Sequence, residues 1–148
     1  MQFKVRGNEV ASVTVRVYVP LTRAGLAAVV ADGRLPGPFR AHAVTESLVA
    51  EWPDGDDEEL EYAAMAAAGD ASWAIRGPDD PPRRYVLAGD VPDAVPVDGE
   101  DLTLVDVAAD LPWKRVSSAH VDAHDIAEAD IEDTDLAWFA TQEIASIV

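Results

Sequence analysis

Two histidines and two aspartates lie close together in the chain, at His120, Asp122, His124 and Asp125. Imidazole and carboxylate groups together bind zinc and harder divalent ions. A strand that continues through Asp122 would place His120 and Asp122 on one face, whereas a helix would bring the two histidines together at i and i+4. His120, Asp122 and His124 are therefore the candidate metal ligands. His42 would join them if its own strand lies beside that of His120.

The same four residues also have a structural interpretation, which we favour. His120 would end a strand, and the other three would be solvated or would cap the next segment. The metal hypothesis makes the protein a metal-dependent hydrolase, whereas the structural one predicts no metal and no other cofactor.

Three arginines form a second candidate site. Arg83 and Arg84 are adjacent, and Arg76 is nearby in the chain. Together they are candidate anion-binding residues. The alternative, which we favour, is that they pair with the carboxylates around them.

No catalytic residues are predicted. The chain has no cysteine, which excludes thiol nucleophiles, zinc–thiolate sites, iron–sulfur clusters and disulfides. Ser117 and Ser118 lie near His120, but no nucleophile-elbow pattern surrounds them, and no phosphate-loop or dinucleotide-binding pattern occurs. The acidic runs lack the ligand spacing of a calcium loop.

Charge is distributed unevenly along the chain. Residues 1–45 carry six basic and two acidic side chains, whereas residues 46–148 carry five basic and 26 acidic ones, so the net charge of −17 divides into +4 and −21. Direct nucleic-acid binding requires a basic surface and is not expected. We expect a protein partner with a basic surface. An alternative is that rows of carboxylates imitate a phosphate backbone and inhibit a nucleic-acid-binding protein.

Apolar residues make up 49% of the chain and four tryptophans are present, a composition that indicates a folded domain rather than a disordered acidic one. The N-terminus lacks the apolar run of a signal peptide, and the longest apolar stretch, residues 25–31, is too short to span a bilayer. We therefore expect a cytoplasmic protein without membrane contact.

The elements that must position these residues follow from periodicity. Valines alternate over residues 13–19 as in a strand, and Thr22 and Gly33 fit the ends of a helix over 23–32. Acids at 56–59 open a long helix with an apolar stripe of small residues. Its expected members are Leu60, Ala63, Ala64, Ala67, Ala71 and Ile75.

The order of elements predicts one α+β domain over residues 1–148, with a mixed or antiparallel sheet and helices packed mainly on one face. Residues 1–12 are either an N-terminal extension or the first part of a hairpin. Residues 122–135, with seven acids and no base, predict an acidic loop, and we call them the acidic segment.

Several short stretches carry a resemblance to a known family. They are Arg-Val-Tyr-Val-Pro at 16–20, Ala-Val-Thr at 43–45, Glu-Leu-Glu-Tyr-Ala-Ala at 59–64, Arg-Arg at 83–84, Ala-His-Val-Asp at 119–122, and Trp-Phe at 138–139 ahead of Glu-Ile at 143–144. The chain resembles, over most of residues 14–148, an uncharacterised family of small acidic bacterial proteins of unknown function. The resemblance implies no activity and no cofactor. We therefore expect a non-enzymatic protein that acts by binding another protein.

Overall fold

Nine strands form two sheets in the computed structural model, which describes residues 13–148. Seven of them form one sheet in the order β5-β6-β3-β1-β4-β8-β9, and β2 pairs with β7 in a small second sheet. Every pair of neighbouring strands is antiparallel. The strands are β1 (Val15–Leu21), β2 (Arg34–Leu35), β3 (Phe39–His42), β4 (Tyr85–Val91), β5 (Val95–Pro96), β6 (Leu104–Val107), β7 (Leu111–Pro112), β8 (Val116–Val121) and β9 (Ala137–Ala140).

Three α-helices accompany the sheet: α1 (Arg23–Asp32), α2 (Glu46–Glu51) and α3 (Asp57–Ala74). Short 3₁₀ helices lie at Trp113–Arg115, Glu128–Asp130 and Thr141–Ile147. These elements make one α+β domain, as the sequence predicts. None of the described helices is long and apolar enough to cross a membrane. The expected extension or hairpin at 1–12 lies outside the described residues.

The predicted ends of the helices are confirmed by their caps. The Thr22 side chain accepts a hydrogen bond from the Gly25 amide, and Gly33 takes the left-handed conformation, with φ 73°, that ends α1. At the start of α3, Asp56 and Glu59 exchange side-chain and backbone hydrogen bonds in a capping box. Polar side chains thus satisfy amides that each helix leaves without partners.

The central strand β1 is buried on both faces because helices cover both. Val17 and Val19 belong to one core with Leu26 of α1. Tyr18 points the other way and packs with Ala64 of α3. The helices therefore differ from the predicted arrangement in one respect: α3 covers one face of the sheet and α1 covers the other.

The buried stripe of α3 also differs from the predicted one. Leu60 and Ala64 are buried as expected, but the stripe continues through Ala68 and Ser72 rather than through Ala67 and Ala71. Ser72 is polar yet fully buried, because its hydroxyl donates to the carbonyl of Leu21 and accepts from the amide of Tyr85. The hydroxyl joins the end of β1 to the start of β4.

A matched pair of substitutions tests this stripe. Ala68 is fully buried, so Ala68→Gln should lower the free energy of unfolding by about 3 kcal/mol through overpacking and a buried amide. Ala67 is half-buried, so Ala67→Gln should cost less than about 1 kcal/mol. Urea denaturation measures both, and an equal loss in the two variants would contradict this assignment of the core.

Candidate functional site

A buried ion pair joins the start of β4 to the end of β8. Arg84 immediately precedes β4 and Asp122 immediately follows β8, so the antiparallel pairing of these strands places the two residues opposite each other. The Arg84 guanidinium donates from Nε to Oδ2 of Asp122 at 3.0 Å and from Nη2 to Oδ1 at 2.8 Å. The backbone amide of Arg84 donates to Oδ2 as well, at 2.7 Å. The Arg84 side chain is 8% exposed and the Asp122 side chain is 0% exposed. Both carboxylate oxygens are therefore hydrogen-bonded and shielded from solvent.

The same guanidinium holds the acidic segment. Its Nη2 also donates to the carbonyl of Thr134 at 2.9 Å, and its Nη1 lies 3.4 Å from the carbonyl of Ile131. Ile126 is buried, and its amide donates to the carbonyl of Pro82. Ile126, Ile131 and Thr134 thereby attach the acidic segment to the residues just before β4.

Most acids of this segment remain exposed. Asp125 pairs with Arg83 and Asp122 with Arg84. The other five are exposed, and none forms an ion pair with another described residue. These five are Glu128, Asp130, Glu132, Asp133 and Asp135.

A cavity of about 270 Å³ separates the acidic segment from α3. Met65 of α3 and Leu136 give it apolar walls, and the carboxyl-bearing residues Asp70, Glu132 and Asp135 also line it. Tyr62, which lies beside them, is 58% exposed. Apolar and anionic groups therefore line one groove together with Arg84.

The three candidate metal ligands lie in different environments. His120 is half-buried on β8, with Nε2 3.2 Å from the Ser118 hydroxyl, whereas His124 is exposed and contacts the Asp125 carbonyl. Both oxygens of Asp122 are occupied by Arg84. Within residues 13–148, no three His, Asp or Glu side chains are placed so that they could hold a metal ion.

His42 does not join His120, because β1 and β4 lie between β3 and β8. At the end of β3, the Nδ1 atom of His42 lies 2.8 Å from the Thr103 hydroxyl.

Burial lowers the pKa of His42, and the nearby Asp101 carboxylate opposes this shift. Burial, followed by the charge of Arg16, lowers the pKa of His120. At both positions burial therefore favours the neutral imidazole.

The three candidate anion-binding arginines lie apart from one another and have different partners. The Arg76 guanidinium lies 3.5 Å from the centre of the Trp73 ring, in a cation–π contact. Arg84 is committed to Asp122 on the face covered by α3. Arg83 points to the other face and donates from Nε to Asp125 at 2.8 Å. The three guanidinium groups do not form one site. Arg83 lines a separate cavity on the α1 face of the sheet.

A polar cluster that the sequence did not predict lies on the α3 face of the sheet. The Tyr18 hydroxyl donates to Glu61 at 2.8 Å, and Arg16 donates to Asp90 at 2.8 Å. Burial and the Glu61 carboxylate raise the pKa of Tyr18, and its ring meets His120 edge-on. Strand alternation places Arg16 and Tyr18 on one face of β1, and this was the sequence feature from which the cluster could have been predicted.

This cluster has a structural explanation. Tyr18, Glu61 and His120 each lie in a stretch that carries the family resemblance, and their contacts join α3 to β1 and β8. Ser118, whose hydroxyl contacts His120, is 4% exposed, so a substrate has little access to that hydroxyl. The contacts of the cluster therefore account for how α3, β1 and β8 are joined.

Comparison with known proteins places the chain in a family. A model for DUF6912, described as a family of unknown function, matches residues 15–148. The chain belongs to DUF6912. No curated protein and no solved structure matches it. The expected membership of an uncharacterised family is thus confirmed, and DUF6912 brings no assigned activity with it.

Removing Arg84 tests the buried pair. Arg84→Met leaves the Asp122 carboxylate buried without a counter-charge, so the free energy of unfolding should fall by about 3–5 kcal/mol. Arg84→Met combined with Asp122→Leu should recover much of this loss, because no charge is then stranded.

The control is the exposed pair of Arg40 with Asp106, where Arg40→Met should cost less than about 1 kcal/mol. Urea denaturation at pH 7 measures all three variants. Similar losses for Arg84→Met and Arg40→Met would show that the pair does not hold this part of the structure.

Proposed function

We propose that this protein acts without catalysis, by binding a protein partner that has a basic surface, and that the acidic segment is the contact. The observation that carries the proposal is the attachment of the segment to the sheet through Arg84. Five carboxylates are thereby presented from a fixed backbone rather than from a disordered tail.

Preorganisation matters because binding costs the entropy of ordering loops and side chains. The segment's backbone is already fixed by its contacts with Arg84 and by its own turn hydrogen bonds, which include Asp130 to Ala127 and Thr134 to Ile131. A partner would gain electrostatic attraction without ordering this backbone. The segment also contains no Lys or Arg that would neutralise its carboxylates.

Apolar groups beside the carboxylates support a protein partner in particular. The groove between α3 and the segment contains Met65 and the exposed Tyr62. Trp138, on the edge strand β9, is 61% exposed. Aromatic residues and methionine are enriched in protein interfaces. A partner would place Lys or Arg side chains against the acids and apolar side chains in the groove.

Two variants with the same net charge test where binding occurs. The segment variant replaces the five exposed acids by their amides, as Glu128→Gln, Asp130→Asn, Glu132→Gln, Asp133→Asn and Asp135→Asn. The control variant neutralises five exposed acids elsewhere, as Asp32→Asn, Glu51→Gln, Asp79→Asn, Asp93→Asn and Asp98→Asn. Affinity capture from the source cells, with identification by mass spectrometry, is run with both variants and the unchanged protein.

The unchanged protein and the control variant should retain a partner with a basic surface, and the segment variant should lose it. With the purified partner, the association rate should fall at least about tenfold between 0.15 M and 1 M salt, because the Debye length falls from about 8 Å to about 3 Å. An acidic partner, equal retention by both variants, no retained partner or a salt-independent rate would contradict the proposal. Competition by DNA for a retained partner would favour nucleic-acid mimicry.

A further inference from the structure

A second cavity, of about 210 Å³, lies on the α1 face of the sheet. It is bounded by the start of α1, the residues at the start of β4 and the C-terminal 3₁₀ helix. Its lining includes Arg23, Arg83, Tyr85, Phe139 and Ser146. Its volume is several times the ~30 Å³ that a water molecule occupies in the liquid, which is enough for a phosphate group with a short attached chain.

Tyr85 gives the cavity an unused hydrogen-bonding group. The residue is 1% exposed, and its hydroxyl is the one buried side-chain polar atom among residues 13–148 that has no hydrogen-bond partner. Buried hydroxyls are nearly always hydrogen-bonded, because leaving one without a partner costs its lost hydration. A hydroxyl in this position can donate to a bound acceptor.

The charges around the cavity favour an anion, in contrast to most of this acidic protein. Arg23 forms no ion pair with a described residue, and it begins α1, whose first turn contains no acid. The partial positive charge of a helix N-terminus adds to that of Arg23. Asp122 also lines the cavity, but its oxygens are committed to Arg84.

Arg83 contributes a second cation. Its pKa is raised chiefly by the hydrogen bond to Asp125, so Arg83 stays charged. The neighbouring Tyr85 phenol makes a smaller contribution, although its hydroxyl does not meet the geometry of a hydrogen bond with Arg83. Asp125 itself is 63% exposed at its side chain, so water screens its charge. The charged residues that line the cavity are Arg23, Arg83 and Asp122. Their charges sum to +1, and the sum is unchanged when the ion-pair partners Asp125 and Arg84 are included.

We propose that this cavity binds a small phosphate-bearing anion. Arg23 and Arg83 provide the counter-charge and the Tyr85 hydroxyl donates a hydrogen bond to the anion. The Ser146 hydroxyl already donates to the Glu143 carbonyl, so it bounds the cavity without serving as a donor to the anion. The cavity lies on the opposite face of the sheet from the groove beside α3, although Asp122 and Ala123, the first residues of the acidic segment, also line it.

Titration with inorganic phosphate, followed by amide NMR shifts at constant ionic strength, tests the proposal. A small phosphate monoester is titrated in parallel, so that free phosphate and a phosphorylated metabolite are distinguished by which binds more tightly. We expect saturable shifts centred on residues 23, 83–85 and 146. We expect a dissociation constant of about 1 mM or tighter for at least one of the two probes.

Arg23→Gln and Arg83→Gln should each weaken the binding about tenfold, and Tyr85→Phe should weaken it at least about threefold. Tyr85→Phe keeps the ring and removes an unpaired hydroxyl, so the melting temperature without phosphate should not fall. Arg76→Gln, which changes a cation outside the cavity, should bind phosphate as the unchanged protein does. Non-saturable shifts, shifts elsewhere, or equal effects of Arg76→Gln and Arg23→Gln would overturn the proposal.

Discussion

Arg84 is a charged side chain in an interior that penalises unpaired charge. Its position before β4 places it opposite Asp122, and the pair forms three hydrogen bonds to the carboxylate from one residue. The donors that remain reach the carbonyls of Thr134 and Ile131. Because removal of either partner would strand a buried charge, the strand register, the end of β8 and the path of the acidic segment depend on one another.

Strand alternation separates two kinds of surface around this pair. Arg84 points towards α3, on the face where we propose that a protein with a basic surface binds. Arg83 and Tyr85 point towards α1, where Arg23 completes the cavity for which we propose a small anion. Three consecutive residues therefore point to two proposed sites of opposite charge. Neither proposed use requires His42 or His120.

Local patterns were sufficient to predict the first strand and the starts of α1 and α3, but not the short strands β2, β5 and β7 or the pairing between distant residues. Thr22 and Gly33 predicted the ends of α1, since capping depends on neighbours in the chain. The buried face of α3 was misplaced by one residue, because alanine lies at so many positions that hydropathy alone cannot distinguish Ala67 from Ala68. Ser72 was missed for a related reason: its burial depends on backbone groups of Leu21 and Tyr85. The link between Arg84 and Asp122 spans 38 residues, and no periodicity encodes it.

Hydrogen–deuterium exchange of the acidic segment measures whether Arg84 holds this segment in a fixed conformation. In the unchanged protein, the amides of Ile126, Asp130 and Thr134 should exchange more slowly than unfolded amides, because each is hydrogen-bonded. In Arg84→Met these amides should exchange much faster, while amides of β1 remain protected and Arg76→Met leaves the segment unchanged. If these amides exchange as fast as unfolded amides in the unchanged protein, or are equally protected in Arg84→Met, Arg84 does not hold the segment.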